Sequence, residues 1–162
     1  MNQSLQNNNA EKKLVLLKKR ALYYLGKREY SRKELHEKIT PFSESLELSR
    51  QQVNQILTEL ESKDWLSDRR FADQFVFSKK RKFGLKKMEY ELKMRGVNEI
   101  IIHNALNEIK SEEYNLAKNI WEKKFRKLPE NPEERLKQMR FLQSRGINSA
   151  LIHQILSGKL SE

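Results

Sequence analysis

From Lys12 to about Gly26, Leu14, Leu17, Ala21 and Tyr24 recur at intervals of three, four and three, the spacing of one face of an α-helix. The same period continues, punctuated by helix-start signals. Ser31 and Glu34 form a capping-box pattern that opens a short helix through Leu35 to Ile39. Pro41 is expected to end it, leaving Pro41–Leu48 as a polar, acidic loop. Ser49 and Gln52 open a third helix with Val53, Ile56, Leu57 and Leu60 on its apolar face. Ser67 or Asp68 caps a fourth, predicted to reach about Lys82, with Phe71, Phe75 and Ser78 marking its buried side. Gly84 breaks it. Met88, Leu92 and Arg95 continue on the next helix, and Asn98 to Ile109 turns Ile102, Ala105, Leu106 and Ile109 inward. A stripe of Tyr114, Ala117, Trp121, Phe125 and Leu128 follows from Ser111, where Glu112 and Glu113 suit the positive helix start. Asn131-Pro132-Glu133-Glu134 then combines a cap, a first-turn proline and a capping-box glutamate, opening a helix to Arg145. Asn148 to about Leu156 is the last. No alternating strand pattern lies between turn residues, so the class is all-α.

One stretch is written twice. Leu92, Arg95, Gly96, Asn98, Ile102, His103 and Leu106 recur fifty positions later as Leu142, Arg145, Gly146, Asn148, Ile152, His153 and Leu156. Val97/Ile147 and Ile101/Leu151 are near-identities in the same register. Each copy reads as helix, turn, helix. The glycine can take the left-handed conformation that closes a helix. The asparagine caps the next helix, and Val97 with Ile102, like Ile147 with Ile152, stands at the two positions of a hydrophobic staple. An internal period of this kind indicates a repeat architecture. Aligning Glu34-Leu35 with Glu91-Leu92 gives a third, more diverged copy with eight extra residues in the Pro41–Leu48 loop. The expected organisation is a flexible tail at 1–10, then three tandem three-helix repeats at 11–62, 63–110 and 111–162. Together they would form an elongated array able to curve.

Composition narrows the function. The chain has 162 residues and no cysteine, which excludes disulfides and thiolate chemistry. The first ten residues lack the regions of a signal peptide, and no apolar run approaches the ~20 residues of a membrane span, so a soluble, cytoplasmic protein is expected. The formal charge is +11, unevenly placed. Residues 63–96 hold eleven cations against five carboxylates, and residues 31–62 four against six. A surplus of this size favours a polyanionic partner.

Catalytic chemistry is hard to find. The five glycines all sit at predicted helix ends, so no phosphate-cradling loop or dinucleotide fingerprint is present. His103 and His153 are repeat equivalents with no second histidine three or four residues away, and read as helix-flank residues inherited by duplication rather than as metal ligands. Asp64 and Asp68 are explained by helix starts more simply than by a metal. No nucleophile–base–acid set stands out. An enzyme is not expected, and neither a cofactor nor a metal.

Lys79, Lys80, Arg81, Lys82, Lys86 and Lys87 place six cations in nine residues around Phe83. A helix C-terminus favours cations through its dipole, but four in a row radiate around most of a helix, more than one dipole needs. Contact with phosphates would use them, with Arg69, Arg70 and Arg95 alongside. Lys18-Lys19-Arg20 is a weaker cluster. Trp65, Trp121 and Phe125 can stack on bases, although helical spacing more often marks core.

Several motifs then coincide: Ser31-x-x-Glu34-Leu35, Trp65-Leu66-Ser67-Asp68-Arg69-Arg70-Phe71-Ala72, Lys82-Phe83-Gly84, and Glu91-Leu92-x-x-Arg95-Gly96-Val97. In this order they resemble the RecX regulatory proteins of bacteria, over roughly Leu14 to Leu156. The sequence departs from the common pattern at Lys63-Asp64-Trp65, where glycine and tyrosine are usual. The resemblance implies three tandem three-helix repeats. It also implies a role in homologous recombination, DNA repair and the SOS response. Such proteins bind the RecA recombinase within its filament on single-stranded DNA, limit filament growth, and inhibit recombinase, ATPase and co-protease activities; some bind DNA directly. A monomer with weak duplex binding and no membrane partner is expected. Two alternatives remain at this level. One is a helix-turn-helix DNA-binding protein built on Met94–Asn98, for which Ile100, Ile101 and Ile102 make a poor recognition helix. The other is a general basic scaffold for acidic proteins.

Overall fold

The computed structural model describes residues 2–158, with side chains from Asn8 onward. Among these residues the chain is all helical: α1 Asn2–Leu25, α2 Arg32–Ser45, α3 Arg50–Ser62, α4 Asp68–Lys79, α5 Leu85–Met94, α6 Glu99–Asn107, α7 Glu113–Lys124, α8 Pro132–Ser144 and α9 Ser149–Leu156, with a single 3-10 turn at Lys110–Glu112. The chain divides into two compact units. One runs to Phe71 and takes in Arg95–Val97; the other holds Ala72–Met94 and the chain from Asn98 onward.

In the first unit α1, α2 and α3 pack on one another. Their core is Leu17, Ala21, Leu35, Ile39, Leu57 and Leu60, all fully buried, with Val53, Ile56 and Leu66 beside them. The apolar faces expected for α1 and α3 are the ones buried. In the second unit α5 packs on α6, and α7, α8 and α9 pack together around Ala117, Ile120, Trp121, Leu142, Ile147, Ile152 and Leu156. Trp121 Nε1 donates to Gln138 Oε1 at 2.7 Å, and Gln138 Nε2 donates to the Lys127 carbonyl at 3.3 Å. The buried indole N–H and the buried amide satisfy each other.

Several starts form as expected. Ser49 and Gln52 make the complete reciprocal box. Asn98 Oδ1 accepts from the Ile101 amide and Asn148 Oδ1 from the Leu151 amide, each at 2.9 Å. Asn131 accepts from the Glu134 amide, while the Glu134 carboxylate reaches one residue further back, to the Glu130 amide. Ser31 accepts from the Glu34 amide, but Glu34 itself turns to Arg28 and Arg95. The first amide of α2, on Arg32, is bonded instead by Asp68 at 2.7 Å. Asp68 therefore caps a helix in another part of the first unit.

Six readings need correction. Residues Asn2–Ala10, expected as a tail, are the first turns of α1; extending a helix already nucleated by an apolar face is far easier than starting one. Met1 lies outside the described residues. Pro41 does not end α2, which continues to Ser45. Phe42, Leu46 and Leu48 pack on the core and hold that extension in place, and the hydroxyls of Thr40, Ser43 and Ser45 bond back to carbonyls three or four residues earlier. The supposed loop is thus mostly helix. In consequence Glu34-Leu35 is not the partner of Glu91-Leu92. The true equivalent of Gly96 and Gly146 is Glu47, which takes φ 56° against their 76° and 79° and is followed by Leu48 and the cap Ser49. Helix α4 stops at Lys79, so Lys80, Arg81 and Lys82 lie in a turn. On α4, Ser78 is exposed and Ala72 and Val76 join Phe71 and Phe75 in the buried face. Likewise Leu128 lies past the end of α7 and is 42% exposed.

The repeated turn closes α8 as a Schellman motif. The Ile147 amide donates to Leu142 O at 3.2 Å and the Gly146 amide to Gln143 O at 2.9 Å. The Arg145 carbonyl then accepts from the Gly84 amide at 2.7 Å, just before α5. In the first unit the Arg95 carbonyl accepts from the Ser31 hydroxyl, also at 2.7 Å, just before α2. Each copy of the turn is a joint seated on the start of an earlier helix.

Candidate nucleic-acid interface

The basic tract acquires its meaning from what packs beside it in the second unit. After α4 the chain turns through Lys80–Phe83, and the turn lies against the last turn of α7 and the end of α8. Arg81 and Lys82 line a hollow of about 230 Å³ with Ile120, Lys123, Lys124, Phe141 and Arg145. Five of the seven lining residues are cations and none is a carboxylate. The guanidinium of Arg145 lies 5.1 Å from the centre of the Phe141 ring, which in turn meets Phe125 edge to face at 5.2 Å. Phe141, backed by Phe125, therefore holds Arg145 at the edge of the hollow. Phe125, a candidate stacking residue, is packed against Phe141 and the core of the second unit, and Trp121 is buried.

The remaining tract residues differ in availability. Lys86 is exposed near the start of α5. Lys87 lays its stem on Phe83, with Nζ 4.5 Å from the ring centre, and donates to the Ser144 carbonyl at 3.3 Å, so it also fastens α5 to the negative end of α8. Lys79 stands 6.0 Å from the same ring. Lys80 is within 3.9 Å of Glu112, which offsets part of its charge. A second hollow, lined by Lys80, Arg81 and Lys123 together with Glu112 and Glu122, is correspondingly mixed in sign.

Arg69, Arg70 and Arg95 belong to the first unit. Arg69 is exposed on α4. Arg70 is held by Glu29 at 2.9 Å and Asp64 at 2.8 Å, and the Glu29 carboxylate, followed by Asp64, raises its pKa further above the ordinary arginine value. Arg95 Nε lies 3.3 Å from Glu34. These two arginines serve the first unit's own ion pairs.

Sequence reasoning missed Lys123, Lys124 and Arg145. A signal existed for the lysines: they are adjacent cations in the last turn of an amphipathic helix, where they read as ordinary dipole partners. For Arg145 the repeat suggested only a joint. No group of three or more histidine, aspartate or glutamate side chains able to hold a metal occurs among the described residues. His103 and His153 are exposed, and His103 Nε2 meets Asn107 Nδ2 of its own helix at 2.8 Å.

The architecture and this surface define an all-α protein of tandem three-helix repeats carrying a concentrated cationic hollow. The family model for the second three-helix domain of RecX matches residues 67–106, and that for the third matches residues 111–156. The chain is 39% identical to regulatory protein RecX of Chromobacterium violaceum, over 88% of this chain and 90% of that one. It is 37% identical to regulatory protein RecX of Ralstonia pickettii, over 88% and 87%. The crystal structure of RecX from Lactobacillus salivarius superposes with a TM-score of 0.73 at 20% identity, covering 91% of this chain and 96% of that one. The protein belongs to the RecX family of regulatory proteins.

Proposed function

We propose that this chain is a non-enzymatic regulator of the RecA recombinase, acting in the cytoplasm as a monomer. It binds the RecA filament on single-stranded DNA, limits filament growth, and lowers recombinase, ATPase and co-protease activities. Family membership supports RecA as the partner. The observation that carries the nucleic-acid half is the hollow of Arg81, Lys82, Lys123, Lys124 and Arg145, because five cations from three elements line it and none of its lining residues is a carboxylate. Such an arrangement is costly in self-repulsion and gains most when a phosphate backbone neutralises it. Arg69, Lys79, Lys80, Lys86 and Lys87 extend the contact. Arg70 and Arg95 contribute less, since their guanidiniums already hold carboxylates.

Against the helix-turn-helix alternative stands the first turn of α6. Ile100 is 74% exposed and Ile102 is buried, so the first turn presents an apolar side chain where a recognition helix presents polar base-reading groups. The test is RecA-dependent ATP hydrolysis on single-stranded DNA. Substoichiometric protein should slow it, and the Lys82→Glu/Lys124→Glu variant should need at least about tenfold more protein for the same effect. No slowing at equimolar wild-type protein would sink the proposal. Inhibition that survives the double reversal would leave RecA as partner and remove the hollow from the contact.

A further inference from the structure

Two tryptophans are present, and they have opposite fates. Trp121 is 6% exposed in the second unit's core, whereas Trp65 is 46% exposed in the first unit. Trp65 follows α3 in a turn where Asp64 takes φ 55°, the Asp64 amide donates to Glu61 O and the Trp65 amide to Leu60 O, each at 2.9 Å. The residue after the left-handed position normally folds back onto its helix. Val97 and Ile147 occupy that place in their turns and are 5% and 4% exposed. After α3 the role passes to the next residue, Leu66, which is 2% exposed and completes the core. Packing therefore does not require an indole at position 65, yet a large aromatic side chain stands there with about half of its surface exposed.

The ring's neighbours are charged. Lys63 Nζ lies 5.0 Å and Lys18 Nζ 5.8 Å from its centre. Both lysines pair with Glu59, one carboxylate between two ammoniums, which leaves one net positive charge beside the indole. A half-exposed indole with two ammoniums over its ring has the two parts of a single-strand contact: an aromatic surface on which an unpaired base stacks once those long side chains swing aside, and cations that meet the adjoining phosphates. We propose that Trp65 is a stacking platform for an unpaired base of single-stranded nucleic acid, with Lys18 and Lys63 at the backbone. This rests on the reading of the chain as a protein that meets single-stranded DNA, and adds a contact in the first unit that the cationic hollow does not supply.

The experiment titrates the whole protein with oligo(dT), following tryptophan emission and, separately, the anisotropy of a labelled oligonucleotide. Wild-type emission should fall on binding, and the change should disappear in Trp65→Phe, where only the buried Trp121 remains. Trp65→Ala should weaken oligo(dT) binding about tenfold, and Trp65→Phe less, since it keeps an aromatic ring in the same turn. A duplex of equal length should change the emission much less, because its bases are already stacked. Binding by anisotropy with unchanged emission and wild-type affinity in Trp65→Ala would overturn the stacking site while leaving nucleic-acid binding intact. Equal quenching by duplex would overturn it as well. Absence of oligo(dT) binding by both signals would overturn this proposal and the nucleic-acid half of the function together.

Discussion

Glu47, Gly96 and Gly146 occupy one place in three copies of a turn, and they test how a single residue's conformational freedom contributes. All three have positive φ, where an L side chain costs about 1–2 kcal/mol and glycine does not. Glu47→Gly should therefore stabilise the chain by about 1 kcal/mol in urea unfolding. The reverse changes should differ from each other. A Cβ at Gly96 meets the Lys33 Cβ at 2.8 Å, a milder clash than one with backbone, and Gly96→Ala should cost about 1–3 kcal/mol. At Gly146 it would run into the Lys87 backbone nitrogen and Cβ, which cannot withdraw without moving α5. Gly146→Ala should cost roughly 2–4 kcal/mol, adding overpacking to the conformational term. Equal losses at the two sites would show that the joint on α5 is looser than its geometry indicates.

At the scale of elements, α2 shows which term prevails when local and tertiary signals conflict. Proline within a helix removes a hydrogen bond and crowds the preceding turn, at about 3 kcal/mol. The helix nevertheless runs through Pro41, because stopping there would leave Phe42, Leu46 and Leu48 off the core of the first unit. Burial of such side chains is worth about 1.5–3 kcal/mol each when complete. Pro41→Ala should then raise stability, by up to about 3 kcal/mol, and leave the helical circular dichroism essentially unchanged. A large gain in helicity would mean that Pro41 does end the helix in solution. The converse applies to α4. Its helix was expected to carry the cations to Lys82, but it ends at Lys79. The turn that follows, not a helix face, presents Arg81 and Lys82 beside the last turn of α7.

For the molecule as a whole, the relevant quantity is a formal charge of +11 and where it gathers. Many cations are already paired with carboxylates, as at Lys93 with Glu89 and Glu99, and contribute little to a distant polyanion. The hollow gathers five cations with no carboxylate in its lining. If Lys123 and Lys124 each neutralise one phosphate, Lys123→Glu/Lys124→Glu should lower the slope of log affinity against log salt by about 1.4 for single-stranded DNA, at ~0.7 per contact. A parallel drop in affinity with an unchanged slope would place these lysines outside the ionic interface.

The amino-acid pattern alone determined the all-α class, the helix count, most caps and the Arg-Gly-x-Asn joint, because these depend on interactions within a few residues along the chain. It also pointed to the cationic tract at 79–87. Only the tertiary structure decided the course of the chain through Pro41, the standing of Glu47 as the counterpart of Gly96 and Gly146, and the exposure of Trp65 where Leu66 takes its place in the core. It likewise assigned Asp68 to the start of α2, and brought Lys123, Lys124 and Arg145 to the side of Arg81 and Lys82. Those outcomes rest on contacts between residues tens of positions apart, where burial of apolar surface and the meeting of like charges outweigh the local preferences that sequence periodicity records.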